Sequence, residues 1–162
     1  YGQLRIGKNG KAFKMWKFRS MYKNADKMID QLTDEQRQQY ITEFKIDNDP
    51  RITPVGNFLR KTSLDELPQL FNVLCNDMSL VGPRPLIESE IQTYYADMFD
   101  TLLSVKPGVT GYWQAYARNN ATYQSGQRQQ MEMYYVNHAS IMLDIKILFR
   151  TVVSVLRKDG AK

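Results

Sequence analysis

The sequence is poor in the residues that carry most enzyme chemistry. Its 162 residues include one cysteine, Cys75, and one histidine, His138. That excludes an internal disulfide and a Cys/His zinc site, and nearly excludes any nucleophile that depends on a histidine base. No apolar run approaches the ~20 residues that a membrane-spanning helix needs. Chemistry must therefore rest on Asp, Glu, Lys, Arg, Tyr or a bound metal. Hydrophobic residues make up 43% and charged residues 24%, an ordinary globular balance that argues against wholesale disorder. A chain of this length folds as one domain, residues 1–162, with a core that needs no covalent staples.

The net charge of +5 is unevenly spread. Residues 1–23 carry Arg5, Lys8, Lys11, Lys14, Lys17, Arg19 and Lys23 and no acid, whereas the rest holds 15 cations against 17 acids. A basic end on a near-neutral body attracts nucleic acid, anionic lipid or a phosphorylated ligand, or is a solvated face.

Local patterns predict an α+β fold, mostly helical: a short N-terminal β-hairpin packed with about five or six helices and long ordered loops. Asn9-Gly10 is the pair favoured by a type I′ turn between Gln3–Gly7 and Lys11–Phe18. Ala25, Met28, Ile29 and Leu32 follow helical spacing. Thr33-Asp34-Glu35-Gln36 forms a capping box for a polar helix reaching about Phe44. Pro54 after Thr53 starts another. Leu67, Leu70, Phe71 and Leu74 fall at i, i+3, i+4 and i+7, which predicts a stripe facing the core. A helix follows over about 86–103, then a tight turn at Pro107–Gly111, an irregular stretch over 112–126, and helices over about 127–138 and 141–157. In the last helix Ile141, Ile145, Leu148, Phe149, Val152 and Leu156 share a face, widened by Met142, Ile147 and Val153, that reads as core, with lipid or another segment as the alternative cover of part of it.

Three stretches carry candidate chemistry. Asp65 and Glu66 are adjacent, so on a helix they diverge by about 100° and serve neighbouring groups, one attacking and the other holding a divalent cation. Against this, Ser63-x-x-Glu66 is itself a capping box, and acids suit a first helical turn. In Gly82-Pro83-Arg84-Pro85 two prolines stiffen the backbone around one guanidinium, whose fork matches phosphate oxygens. In Lys17-Phe18-Arg19-Ser20, a strand would place Lys17 and Arg19 on one face, suited to a diphosphate, with Phe18 packed on the other.

Together these stretches resemble the bacterial sugar transferase family, the monotopic polyprenyl-phosphate phosphoglycosyl transferases. The resemblance runs from Gln3 to Lys162 through Arg5–Gly10, Lys17–Met21, Ser63–Leu74, Asp77–Pro85, Pro107–Gly111 and Leu143–Lys146. It implies an enzyme that moves a sugar-1-phosphate from a UDP-sugar to polyprenyl (undecaprenyl) phosphate and releases UMP, the first membrane step of capsule, exopolysaccharide or O-antigen assembly. It implies Asp65 as nucleophile through an aspartyl phospho-sugar, Glu66 with Asp65 as ligands of Mg²⁺, and Lys17, Arg19, Arg60 and Arg84 near the diphosphate or nucleotide. The implied partners are the UDP-sugar, the polyprenyl phosphate and the inner-membrane surface at its cytoplasmic face, with no nucleic acid; a homo-oligomer stays open. The competing reading is a basic module that binds nucleic acid or anionic lipid without catalysis. Family members begin with a membrane-inserting segment before the position of Tyr1, so the resemblance implies a catalytic part, soluble by itself and weak or inactive without that segment. The chain departs from the family pattern at Ala117-Arg118, where Gly-Arg is common, and at His138-Ala139, where an aromatic often follows Asn137.

Overall fold

The computed structural model describes residues 1–43, 46, 48–117 and 121–156. It is α+β and mostly helical, as the sequence pattern predicts, with eight α-helices among the described residues. The hairpin pairs β1 (Gly2–Ile6) antiparallel with β2 (Ala12–Trp16). Its turn takes the expected form: Asn9 and Gly10 both have positive φ, 56° and 75°, and Lys11 donates its N–H to the Lys8 carbonyl. A single 3-10 segment, Lys27–Gln31, stands where helical spacing predicts a helix. Helix α1 (Asp34–Glu43) opens with the predicted capping box, Thr33 Oγ1 accepting from Gln36 N–H and the Gln36 side chain accepting from Thr33 N–H, both at 3.2 Å. Its predicted end at Phe44 lies outside the described residues. Helix α2 (Pro54–Lys61) is capped by the Thr53 hydroxyl and starts on Pro54. Gly56 of α2 lies against the Ser20 backbone so closely that a Cβ there would collide with the Ser20 carbonyl.

After a 3-10 turn at Leu64–Glu66 come α3 (Gln69–Leu74), β3 (Ser79–Val81), α4 (Glu88–Tyr94) and α5 (Phe99–Leu102). The helix predicted over 86–103 is thus broken in two, and its apolar residues still converge: Ile91, Tyr95, Leu102 and Leu103 pack with Leu86 and Tyr123. The segment Pro107–Gly111 is not a tight turn. Gly108–Thr110 forms β4, which pairs parallel with β3. Glycine is what lets the two strands meet here, because a Cβ on Gly108 would collide with the Gly82 backbone. Helix α6 (Tyr112–Tyr116) occupies part of the stretch expected to be irregular, and α7 (Gln127–His138) and α8 (Ile141–Leu156) close the fold. Residue 157, the predicted end of α8, is outside the described residues. No helix among the described residues is long and apolar enough to cross a membrane.

Two predicted core faces turn outward. The stripe of Leu67, just before α3, and Leu70, Phe71 and Leu74 within it is exposed, to 66% at Phe71 and 81% at Leu74, while the polar Gln69 and Asn72 are buried. The period is helical, but the face that meets the protein is the polar one. Asn72 explains why: its Oδ1 accepts from Trp16 N–H at 3.0 Å and its Nδ2 donates to the Lys14 carbonyl at 2.9 Å, so α3 is fastened to β2 by hydrogen bonds. In α8, Ile141, Ile145, Phe149 and Val152 are exposed, while Ile147 is buried with Val81, Ala115 and Tyr135. Of the predicted face Leu148 packs onto that cluster and Ile147, at its widened edge, is part of it; the side chain of Leu156 lies outside the described residues.

Candidate active site

The site grows from a departure from regular helix. Ser63 has φ 56° and ψ 17°, in the left-handed region, so it does not adopt the extended conformation of an N-cap and its side chain makes no capping bond. The predicted Ser63–Glu66 capping box is therefore absent. Pro68 becomes the N-cap of α3 instead of an interior residue, where it would have broken the helix. Between them Asp65 and Glu66 sit in one tight 3-10 turn, whose Asp65 carbonyl accepts from Phe18 N–H at 2.9 Å. That bond ties the turn to the segment after β2. The strand itself stops at Trp16, so Lys17–Ser20 is not strand, and Phe18 is exposed instead of packed.

Five of the six sequence-predicted residues, Asp65, Glu66, Lys17, Arg60 and Arg84, are joined by a direct ion pair or by electrostatic interaction. Lys17 Nζ pairs with Glu66 Oε1 at 3.0 Å. Asp65 is 9% exposed. Its carboxyl is held above the ordinary range by burial and by the Glu66 charge, with Lys17 and Arg60 pulling the other way. Burial lowers the Lys17 ammonium, Glu66 opposes that, and Arg84 adds to it. Arg60 is anchored by its Nε, which donates to Ser20 Oγ at 2.9 Å; burial weakens its charge while Asp65 and Asp49 support it. Arg84 is also disfavoured by burial, yet Glu66, Glu90, Tyr123 and Glu132 together outweigh this and keep its guanidinium above its usual value. The arrangement therefore brings one carboxylate pair together with cations from three separate segments, Lys17, Arg60 and Arg84. Arg19 is different: it is exposed and lays its guanidinium over the Tyr1 ring at 4.9 Å. Arg118 lies outside the described residues.

Several participants were not singled out from sequence. Arg5 reaches the same field from β1, and burial together with Arg84 lowers it to about 10. Ser20 holds Arg60, and buried Asp49 makes a two-bond ion pair with Arg51 beside it. Glu90 and Glu132 are buried acids facing Arg84 from α4 and α7. The signal available for Asn72 was its place opposite the apolar stripe of α3. Nothing in the sequence marked Glu90 or Glu132, because each is one acid on an otherwise ordinary helix.

Two adjacent carboxylates, without a cluster of three or more His, Cys, Asp or Glu among the described residues, suit a particular kind of metal binding. Mg²⁺ keeps waters and commonly binds through one or two carboxylates plus substrate phosphates, which this donor set matches. A cage made only of protein ligands would need more.

The bacterial sugar transferase family model matches residues 1–158. The undecaprenyl-phosphate galactose phosphotransferase of Salmonella typhimurium is 49% identical over 164 residues, covering 99% of this chain and 34% of that protein. The UDP-glucose:undecaprenyl-phosphate glucose-1-phosphate transferase of Escherichia coli is 41% identical over 158 residues, 94% of this chain and 31% of that protein. The exopolysaccharide production protein ExoY of Rhizobium meliloti is 40% identical, over 99% of this chain and 71% of its own length. The chain thus spans about a third of the length of the first two relatives. With the match running through every segment that builds the carboxylate–cation cluster, the chain belongs to the bacterial sugar transferase family.

Proposed function

We propose that the protein of which this chain is the catalytic part transfers a sugar-1-phosphate from a UDP-sugar to polyprenyl phosphate. The observation that carries this reading is the meeting of the Asp65–Glu66 pair with Lys17, Arg60 and Arg84 at a turn held out of helical geometry. An ionised carboxylate needs no base to attack, which suits a chain with one histidine. An Asp65 oxygen attacks the sugar-linked phosphorus, and the bridging oxygen leaves with its electron pair as part of UMP. The resulting acyl phosphate carries the sugar. A phosphate oxygen of the lipid then attacks the same phosphorus, forms the diphosphate and returns Asp65 as carboxylate. Lys17, Arg60 and Arg84 offset the charge on the transferring oxygens. Glu66 and Asp65 would hold Mg²⁺, which supplies further charge compensation when bound.

The acceptor is a lipid, and the exposed surface suits a membrane. Apolar side chains are exposed on α2 (Val55, Phe58), α3, β3 (Leu80) and α8, and β3 touches both α3 and α8. Lys8, Lys11, Lys14 and Lys23 are exposed in the basic N-terminal part. Exposed apolar groups together with exposed cations are the composition of a surface that lies in an anionic interface.

The test is mass spectrometry of the full-length protein incubated with a UDP-sugar, followed by peptide mapping. A hexose-phosphate increment on the peptide containing Asp65, with transfer lost in Asp65→Asn while the fold persists, is the expected result. Full transfer by Asp65→Asn would overturn the assignment, and steep salt-dependent nucleic-acid binding indifferent to Asp65 would favour the non-catalytic module.

A further inference from the structure

The loop Gly82–Pro85 presents Arg84, and its backbone has only two N–H donors, because Pro83 and Pro85 have none. The Gly82 N–H goes to the Thr110 carbonyl at 3.0 Å, part of the β3–β4 junction. The Arg84 N–H goes to neither strand. It reaches the side chain of Glu132, 48 residues away on α7, at 3.1 Å to Oε1 and 3.3 Å to Oε2. Glu132 is 2% exposed. A carboxylate with so little access to water is kept only where it is bonded, and a charge-assisted bond to a backbone N–H is among the stronger kinds. Both ends of the loop are fixed as well. Val81 is in register with Thr110, and Ile6 donates its N–H to the Leu86 carbonyl at 2.9 Å. The Pro83 carbonyl of the same peptide unit accepts from the Gly108 N–H at 2.8 Å, so the Glu132 bond is what holds the N–H side of the unit that carries the guanidinium.

Behind Glu132 stands Arg128, one helical turn away, with its guanidinium between the Trp113 and Tyr123 rings at 4.3 and 4.0 Å. Burial pushes the Glu132 carboxyl up to about 7, with Arg128 and the Arg84 N–H pulling it down. This acid is costly to bury, and a packing role alone would be met by an apolar residue.

We propose that Glu132 is a positioning residue for nucleotide-phosphate binding, accepting the Arg84 N–H and so fixing where the Arg84 guanidinium is presented toward the Asp65–Glu66 pair. The inference rests on the proposed function only in taking Arg84 as a phosphate contact. Its effect is on ground-state binding of the nucleotide, so affinity and KM respond while kcat changes little.

The experiment uses the full-length protein and UDP as probe. Affinity is measured by calorimetry for wild type, Glu132→Gln, Arg84→Ala and the double variant, alongside KM and kcat for a UDP-sugar. Glutamine keeps the shape and one acceptor oxygen but loses the charge, so folding is preserved where Glu132→Ala would fail. The expected result is about a fivefold loss of UDP affinity in Glu132→Gln, the difference between a charge-assisted and a neutral hydrogen bond. KM should rise to match with kcat within twofold, and Glu132→Gln should have no further effect in the Arg84→Ala background. Unchanged affinity in Glu132→Gln, unchanged affinity in Arg84→Ala, or losses that multiply in the double variant would each overturn the inference. Failure of the proposed function looks different: it is absence of sugar-phosphate transfer by wild type, while UDP affinity still reports on Glu132.

Discussion

Replacing Leu70, Phe71 and Leu74 together by glutamine separates two readings of one helix that make opposite forecasts. If the stripe faced the core, each substitution would cost about 2–5 kcal/mol, and three would exceed much of the ~5–15 kcal/mol that holds a domain together. In the structure these residues are 44%, 66% and 81% exposed, while Gln69 and Asn72 make the inward face. Exposed substitutions change stability by about 0.5 kcal/mol or less each. The triple variant should therefore unfold within a few degrees of wild type, as read by thermal circular dichroism. Its affinity for a membrane should fall sharply. The exposed fractions amount to roughly two complete large apolar side chains, or about 3–6 kcal/mol on transfer out of water. That corresponds to about a 10²- to 10⁴-fold loss of partitioning, an upper bound because an interface buries less than a core. Co-sedimentation with vesicles containing anionic phosphatidylglycerol measures it. An unfolded variant would refute the outward placement, and a folded variant that still binds vesicles at wild-type strength would refute the membrane-facing role.

Removing the Asp65 charge should stabilise the fold. Burial and Glu66 raise its carboxyl above the unfolded value, so ionised Asp65 is a cost to folding at neutral pH, and Asp65→Asn should melt higher than wild type. The difference should shrink as pH falls through the raised value, and transfer should fall over the same range because the attacking form is the carboxylate; an Asp65→Asn variant that melts lower at neutral pH would contradict this. Asn72→Leu leaves the Trp16 N–H and the Lys14 carbonyl without their partner. At about 1–3 kcal/mol for each stranded group and about 2–4 °C per kcal/mol, the melting temperature should drop by roughly 5–20 °C, and a drop under 2 °C would show that Asn72 does not fasten α3.

Much of the architecture was legible because its signals are local. The Asn9-Gly10 turn, the Thr33–Gln36 box and the Thr53-Pro54 start each depend on a few neighbouring residues, and each forms as read. The parallel pairing of β3 with β4 was not legible: it joins segments some 30 residues apart, and its enabling feature is the absence of side chains at Gly82 and Gly108. The site residues were readable as types and motifs, yet the cap at Ser63 was not decidable from the sequence. A serine three residues before a glutamate suits both a capping box and the left-handed corner that is observed. The acids behind Arg84 went unseen because burial alone distinguishes Glu90 and Glu132 from surface glutamates.

The outward stripes of α3 and α8 have a different cause. Periodicity reports that a helix has an apolar side, and it assigns that side to the core on the assumption that everything else is water. On α3 the assignment fails because hydrogen bonds hold the polar side inward. The polar residues that face inward, Gln69 and Asn72, begin one residue after Pro68, and the Asp65–Glu66 turn lies immediately before it. Asn72 locks that helix to β2, whose continuation supplies Lys17 to Glu66 and Phe18 to the Asp65 carbonyl. The same two turns of helix thus hold the carboxylates against the cations on one side and carry Phe71 and Leu74 on the other. The proposed transfer from a water-soluble donor to a lipid acceptor would use such a junction, with the carboxylate turn fixed from the protein side within one short element of the exposed apolar surface. Moving the apolar residues inward would give α3 an ordinary core face and would remove the hydrogen bonds that hold the carboxylate turn in place.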